Sequence, residues 1–283
     1  MPSPGGHTEV PAIASSPGTV ASTETPHVPL RATGRPRVVV LGGGFGGLWA
    51  ARALRRARVD VVLIDKKNHH VFQPLLYQVA TAGLSPGDIA SPIRYILRRQ
   101  RNAQVLLAEA EAVDVAARRV TLDIGHVQYD ALIVATGATH AYFGNDAWQA
   151  HAPGLKTLDD ALAIRRRVLL AFERAERTGD PEEQRRLLTF VVIGGGPTGV
   201  EMAGALAEIA RHALASEFRS IHPESARIVL LEGGPTLLAT FPDSLRVHAV
   251  ESLRDLGVEV RLATLVTRIE AERVVTRDAG TIE

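Results

Sequence analysis

Two short runs of unbroken apolar residues, each ending in three consecutive glycines, set the pattern of this chain. Val38 to Leu41 leads into Gly42–Gly43–Gly44, and Phe190 to Ile193 leads into Gly194–Gly195–Gly196. Such runs read as short strands in the interior of a sheet. After the first, Leu48 to Arg56 predicts a helix, and Val59 to Ile64 predicts a second strand closing on Asp65. The strand–helix–strand order favours a parallel sheet. The second unit spans Leu188 to Glu232, with Ile228 to Leu231 as its second strand and a long insertion, Arg211 to Ala226, taken as extended helix and loop.

Between and beyond these units the pattern is weaker. Asn68 to Pro92 reads as polar and irregular, and Ile93 to Arg101 as helical. Val105–Leu107, Ala112–Val115, Val120–Leu122 and Leu132–Ala135 predict short strands. Thr157, with Asp160 three residues on, marks a helix start. Ala161, Ile164, Val168, Phe172 and Ala175 then recur at helical spacing, and Thr178–Gly179–Asp180–Pro181 ends the helix. Val258–Leu262 and Leu265–Ile269 are further strands, and the last residues read as a polar turn without a terminal element. Met1 to Arg35, rich in Pro, Ser, Thr, Gly and Ala, predicts a disordered tail.

Composition narrows the chemistry. With 283 residues there is room for about two domains. There are no cysteines, so neither structural disulfides nor a redox-active cysteine pair is available to this chain. The formal net charge is +1, which gives no long-range field to recruit nucleic acid or an anionic membrane. The arginine clusters at Arg98–Arg101 and Arg165–Arg167 read as solvated helix faces. The ten histidines show no metal-binding spacing, and adjacent His69 and His70 read as loop residues. The start of the chain has no secretory pattern, Glu9 and Glu24 weigh against a mitochondrial presequence, and no stretch reaches the roughly 18 apolar residues of a bilayer span.

Each glycine cluster fits G-x-G-x-x-G: Gly42, Gly44 and Gly47, then Gly194, Gly196 and Gly199. The glycines permit a tight turn and close approach of a pyrophosphate to the backbone, and the helix start at Phe45 to Leu48 offers unpaired N–H groups. Asp65 stands near the expected interval of about 20 residues for a carboxylate that accepts ribose hydroxyls. Glu232 takes the same position in the second unit, after a longer interval. A carboxylate there repels a 2′-phosphate, which predicts NADH over NADPH. For Glu201 the sequence leaves two readings open: an acid in the first helical turn serving the dipole, or a group beside the reacting cofactors. Thr136–Gly137 either contacts a nucleotide or simply turns the chain. Two such units imply two dinucleotides held side by side, with cofactors carrying the hydride chemistry.

From about Arg37 onward the chain resembles the type II NADH dehydrogenases, the single-subunit NADH:quinone oxidoreductases. The resemblance lies in LGGGFGG, HHVFQPLLYQVATAGLSPGDIASPIR, YDALIVATGATHAYFG, APGLKTLDDALAIR, VVIGGGPTGVEMAGALAE and VLLEGGP, with FQPLLYQVATAGL the most specific. The implied fold is α/β: two Rossmann-like dinucleotide-binding domains of the glutathione-reductase kind, an incomplete FAD-binding domain over 36–155 and an NADH-binding domain over 156–283. The resemblance implies that Gly42, Gly44, Phe45, Gly47, Asp65 and Lys66 hold the FAD adenosine and pyrophosphate. Gln73, Pro74 and Thr81 would lie near the flavin or its linker, with Ala135, Thr136 and Gly137 closing over it. Gly194, Gly196, Thr198, Gly199 and Glu232 would hold NADH, and Glu201 matches a family glutamate beside nicotinamide and flavin. The implied activity passes electrons from NADH through FAD to a quinone. The implied partners are NADH, a quinone, a second copy in a homodimer, and the inner face of the plasma membrane, met through a C-terminal region beyond Glu283. Members of the family continue well past that point, with the rest of the FAD domain and the quinone site. The expectation is therefore a truncated chain that retains FAD weakly and dissolves poorly. A soluble NADH:acceptor flavin reductase and a non-catalytic nucleotide-binding remnant are the alternatives.

Overall fold

The computed structural model describes residues 26–31 and 33–283. Its first parallel sheet begins with β1 (Arg37–Leu41), followed by α1 (Phe45–Ala53), a short 3-10 turn at Leu54–Arg56, and β2 (Asp60–Asp65). The stretch expected to be irregular instead carries β3 (His69–Val71), α2 (Leu76–Ala80), α3 (Pro86–Ile89) and β4 (Ala90–Pro92). α4 (Ile93–Leu97) and β5 (Ala103–Leu107) follow, then the meander β6 (Ala110–Asp114), β7 (Arg119–Leu122) and β8 (Gly125–Gln128), and finally β9 (Ala131–Val134). The sheet order is β5-β2-β1-β9, all parallel, with Val39 opposite Val62 and Leu132.

Period-two alternation splits this sheet into two packed faces. Val39, Leu41, Val62 and Ile64 point to the meander residues Val120, Leu122 and Val127. Val38, Val40, Val61 and Leu63 point to Leu48 and Ala51 of α1 and to Ile93 and Leu97 of α4. Burial on both sides is why these strands read as continuous apolar runs.

The second unit repeats the plan. α5 (Leu158–Arg177) and α6 (Pro181–Leu187) precede β10 (Thr189–Ile193), α7 (Pro197–Glu208), β11 (Arg227–Leu231), α8 (Asp243–Asp255) and β12 (Glu259–Arg261). β10, β11 and β12 form a parallel sheet. Val229 and Leu231 face a small antiparallel sheet of β13 (Val266–Ile269), β14 (Val274–Thr276) and β15 (Thr281–Ile282), while Ile228 and Leu230 face the helices. The closing segment, expected to be a bare turn, thus ends in a strand paired to β14. α5 starts with the expected capping box: the Thr157 hydroxyl accepts from the Asp160 amide at 3.1 Å, and the Asp160 carboxylate accepts from the Thr157 amide at 2.8 Å. Its Ala161, Val168, Phe172 and Ala175 are buried, as the spacing predicts.

The two units are joined by more than chain connectivity. α2 leaves the first unit and buries Leu76, Val79 and Ala80 in the core that contains Phe172, Met202 and Leu206. Lys67, just past β2, makes a 2.7 Å ion pair with Asp159 at the start of α5.

Part of the segment expected to be a tail is seated on the first unit. His27 bridges to His126, the Val28 amide donates to the His126 carbonyl at 3.0 Å, and Val28 is buried in the meander core. The Thr33 hydroxyl donates to Asp60 at 2.7 Å. The remainder of that expectation, Met1–Thr25 and Ala32, lies outside the described residues.

Candidate functional site: two glycine turns and their carboxylates

The two glycine turns have the same internal construction. Gly42 and Gly194 adopt φ of +100° and +106°, the left-handed region glycine tolerates best. A Cβ on Gly47 would overlap the Gly42 carbonyl, and one on Gly199 would overlap the Gly194 carbonyl. The third glycine of each motif is therefore required by contact between the turn and its own helix. Gly44 and Gly196, the N-caps of α1 and α7, are different: a side chain there would meet nothing within 4 Å. Their open approach is what a ligand lying against the backbone requires.

Each turn is tied to the carboxylate at the end of the next strand. The Gly43 amide donates to Asp65 Oδ2 at 2.5 Å, and the Lys67 amide donates to Oδ1 at 2.7 Å. In the second unit the Gly195 and Gly234 amides donate to Glu232 Oε2 and Oε1, both at 2.6 Å. An ionised carboxylate has about four acceptor positions. Each therefore keeps capacity for two ribose hydroxyls after fixing its turn. The donor set, the helix N-termini and the open second glycines fit two dinucleotides.

The structure brings several of the other expected residues to the first turn. The Ala135 amide donates to the Leu41 carbonyl at 2.8 Å, and the Ala135 carbonyl and Thr136 backbone lie against Gly42. Gly137 follows at φ +74° and is exposed. Phe45, at the start of α1, is exposed beside His70 and Phe72, with ring centroids 5.0 and 5.7 Å away. Gln73 and Pro74 form an exposed 3-10 turn leading into α2, at the junction of the two units.

Two residues point elsewhere. The Lys66 ammonium pairs with Glu109 at 2.9 Å, and that hydrogen bond raises its pKa. The Thr81 side chain is buried, and its hydroxyl donates to the Tyr77 carbonyl at 2.9 Å, closing α2. Sequence reading missed His70. It lies in β3, not in a loop, and its Nδ1 is 3.1 Å from the Gly43 carbonyl. No spacing rule marks it, because the contact depends on β3 pairing with β4.

In the second unit Thr198 is exposed in the first turn of α7, next to Gly199. Glu201 stands in the second turn, not the first, and the first turn of α7 holds no acid. The macrodipole effect fades beyond the first turn, so it does not account for this residue. Crowding by protein removes water from the Glu201 carboxyl and raises its pKa above the usual carboxylate range, with no charged neighbour contributing.

The turn-and-carboxylate arrangement is repeated on two parallel-sheet units. The chain belongs to the pyridine nucleotide-disulphide oxidoreductase family, whose profile matches residues 36–283. It is 50% identical over 253 residues to the type II NADH:quinone oxidoreductase Ndh of Mycobacterium tuberculosis, covering 88% of this chain and 55% of that protein. NdhA of the same organism is 51% identical over 249 residues, covering 87% and 53%. Among solved structures, NDH2 from Plasmodium falciparum in complex with NADH matches with TM-score 0.78 and 27% identity, over 85% of this chain and 50% of that one. The sulfide:quinone oxidoreductase of Aquifex aeolicus shares the fold at TM-score 0.70 and 20% identity, over 87% of this chain and 56% of that one. The chain spans about half the length of the curated relatives it matches. Among the described residues no helix is long and apolar enough to cross a membrane.

Proposed function

We propose that this chain carries the FAD and NADH sites of an NADH:quinone oxidoreductase. The observation that carries the reading is the duplicated turn, in which Asp65 and Glu232 each fix a glycine amide and keep acceptor capacity for a ribose. The half-identical mycobacterial relatives, named as NADH:quinone oxidoreductases, supply the acceptor class. A bound FAD would supply the hydride acceptor for NADH and the electron relay to a quinone.

The protein's own part is positioning. Gly42, Gly44 and Gly47 let the first pyrophosphate reach the N–H groups at the start of α1, and Phe45 flanks that approach. Asp65 orients the first ribose. Gly194, Gly196, Thr198 and Gly199 do the same for NADH at α7, and Glu232 favours a free 2′-hydroxyl over a phosphate. Gln73, Pro74, Ala135, Thr136 and Gly137 shape the path along the first cofactor, while Thr81 closes α2 and Lys66 pairs with Glu109 instead. Glu201 is exposed, and with its raised pKa it holds a proton more readily than an ordinary carboxyl, which supports a role beside the nicotinamide. A quinone acceptor places the working protein at a membrane surface, on the cytoplasmic face.

The test is NADH oxidation with FAD supplied and a short-chain, water-soluble quinone as acceptor. The expected result is quinone-dependent turnover that Glu201→Gln slows at unchanged NADH affinity. NADH that leaves the flavin oxidised with both nucleotides bound would refute the proposal.

A further inference from the structure

Arg98 and Arg99, which read in the sequence as part of a solvated helix face, meet Arg52 and Arg55 in the fold. The end of α1 and the end of α4 enclose a hollow of about 380 Å3 lined by Arg52, Arg55, Arg98 and Arg99 together with Ile96, Leu97 and Gln100. No carboxylate lines it, and among the described residues none of the four arginines takes part in an ion pair. The hollow is held in shape by Gln100, which is buried and donates its amide to the Ala51 carbonyl at 2.8 Å, tying α4 to α1. Two large aromatic side chains flank it. Trp49 is 65% exposed with the Arg52 guanidinium 5.6 Å from its ring centre, and Tyr95 is 59% exposed with Arg98 3.6 Å over its ring.

We propose that this hollow is a headgroup site for anionic phospholipid, through which the first unit sits on a membrane surface. Four guanidinium groups without a carboxylate partner, Arg98 also donating to the Tyr95 carbonyl at 2.7 Å, surround one concavity and match a phosphate-bearing anion. Exposed indole and phenol rings beside it match the depth at which Trp and Tyr sit in bilayers. A free phosphate ion leaves those rings without a partner, and a nucleic acid requires a longer basic stripe than four arginines around one hollow present. The small net charge is no obstacle, because attraction to a lipid surface acts within a Debye length and depends on the local patch. The inference goes beyond the quinone reading, and it rests on that reading only for the presence of a membrane nearby.

The test uses the 283-residue chain with Trp148→Phe, which leaves Trp49 as its single tryptophan. Binding is measured to phosphatidylcholine vesicles with and without phosphatidylglycerol. The expected result is binding only with phosphatidylglycerol, with a blue shift of Trp49 emission and loss at high salt. Each basic side chain at an anionic surface is worth about 1 kcal/mol. The double substitution Arg98→Gln/Arg99→Gln is therefore expected to weaken vesicle binding roughly thirtyfold. Equal binding to both vesicles, unchanged binding by the double variant, or preferential capture of inorganic phosphate or duplex DNA would overturn the proposal. The double variant should keep its activity with the water-soluble quinone, so failure of the quinone reading would show in that assay and not in vesicle binding.

Discussion

Replacing Glu232 by Gln asks the structure for a specific double effect. The carboxylate accepts two amide hydrogen bonds at 2.6 Å, from Gly195 and Gly234. Hydrogen bonds to a charged group contribute about 1.5–3 kcal/mol and neutral ones about 0.5–1.5. Gln keeps one acceptor, but its NH2 end faces the other amide, so the turn loses about 2 kcal/mol of support. NADH affinity should fall roughly tenfold to thirtyfold. Removing the charge also removes repulsion of a 2′-phosphate, about 4 kcal/mol at 4 Å in a medium of effective dielectric 20 and less at this half-buried position. NADPH affinity should therefore fall less than NADH affinity, or rise, and the ratio of the two dissociation constants should narrow at least tenfold. Calorimetric titration of both nucleotides into both proteins reads this directly. A ratio unchanged by Glu232→Gln would refute the assignment of this carboxylate to the ribose, even if both affinities fell.

Three further outcomes follow from the geometry. Gly47→Ala should abolish FAD binding and leave NADH binding intact, and Gly199→Ala should do the reverse, because each Cβ overlaps the carbonyl of its own turn; equilibrium dialysis with each nucleotide checks both. Phe172 is 1% exposed and stacks on Phe190 and Phe218 at 5.4 and 6.1 Å, so Phe172→Ala should cost about 3–5 kcal/mol in denaturant unfolding. Lys67 holds the Asp159 carboxyl below its usual range, chiefly through their hydrogen bond. The contribution of this pair is thus present above the ordinary carboxylate pKa and is lost as pH falls through the lowered value. The pair is solvent-exposed, so Asp159→Asn should lower stability by a few tenths of a kcal/mol at neutral pH and by nothing in acid, measured as parallel melting curves.

How much of this was legible in sequence depended on whether an element is fixed locally. β1, β2 and the glycine turns are written in contiguous residues, because a strand buried on both faces and a turn that admits only glycine leave few alternatives. α5 was legible for the same reason: its cap and its apolar face lie within the helix itself. α2 was not, because five residues have no periodicity and the helix forms to bury Leu76 and Val79 in the core of the other unit. β8 and β15 are short strands held by hairpin partners rather than by propensity. Val28 and Leu30 offered two apolar residues in a stretch broken by prolines, too little to reveal that Pro26–Arg31 lies along the meander. The carboxylates of the site were found through spacing, but His70 came from tertiary pairing and Lys66 turned to Glu109, which spacing does not encode. The second-turn position of Glu201 came from α7 beginning at Pro197, and it removed the dipole explanation that the sequence had left open.

FAD and NADH are expected to occupy the two turns of this one chain and exchange a hydride there. The most direct measurement is the anaerobic absorption spectrum of the chain equilibrated with excess FAD, before and after NADH, with Gly199→Ala as control. The account predicts bound flavin bands that bleach with NADH in the unaltered chain and stay oxidised in the variant. Flavin that stays oxidised in the unaltered chain while NADH demonstrably binds would contradict it.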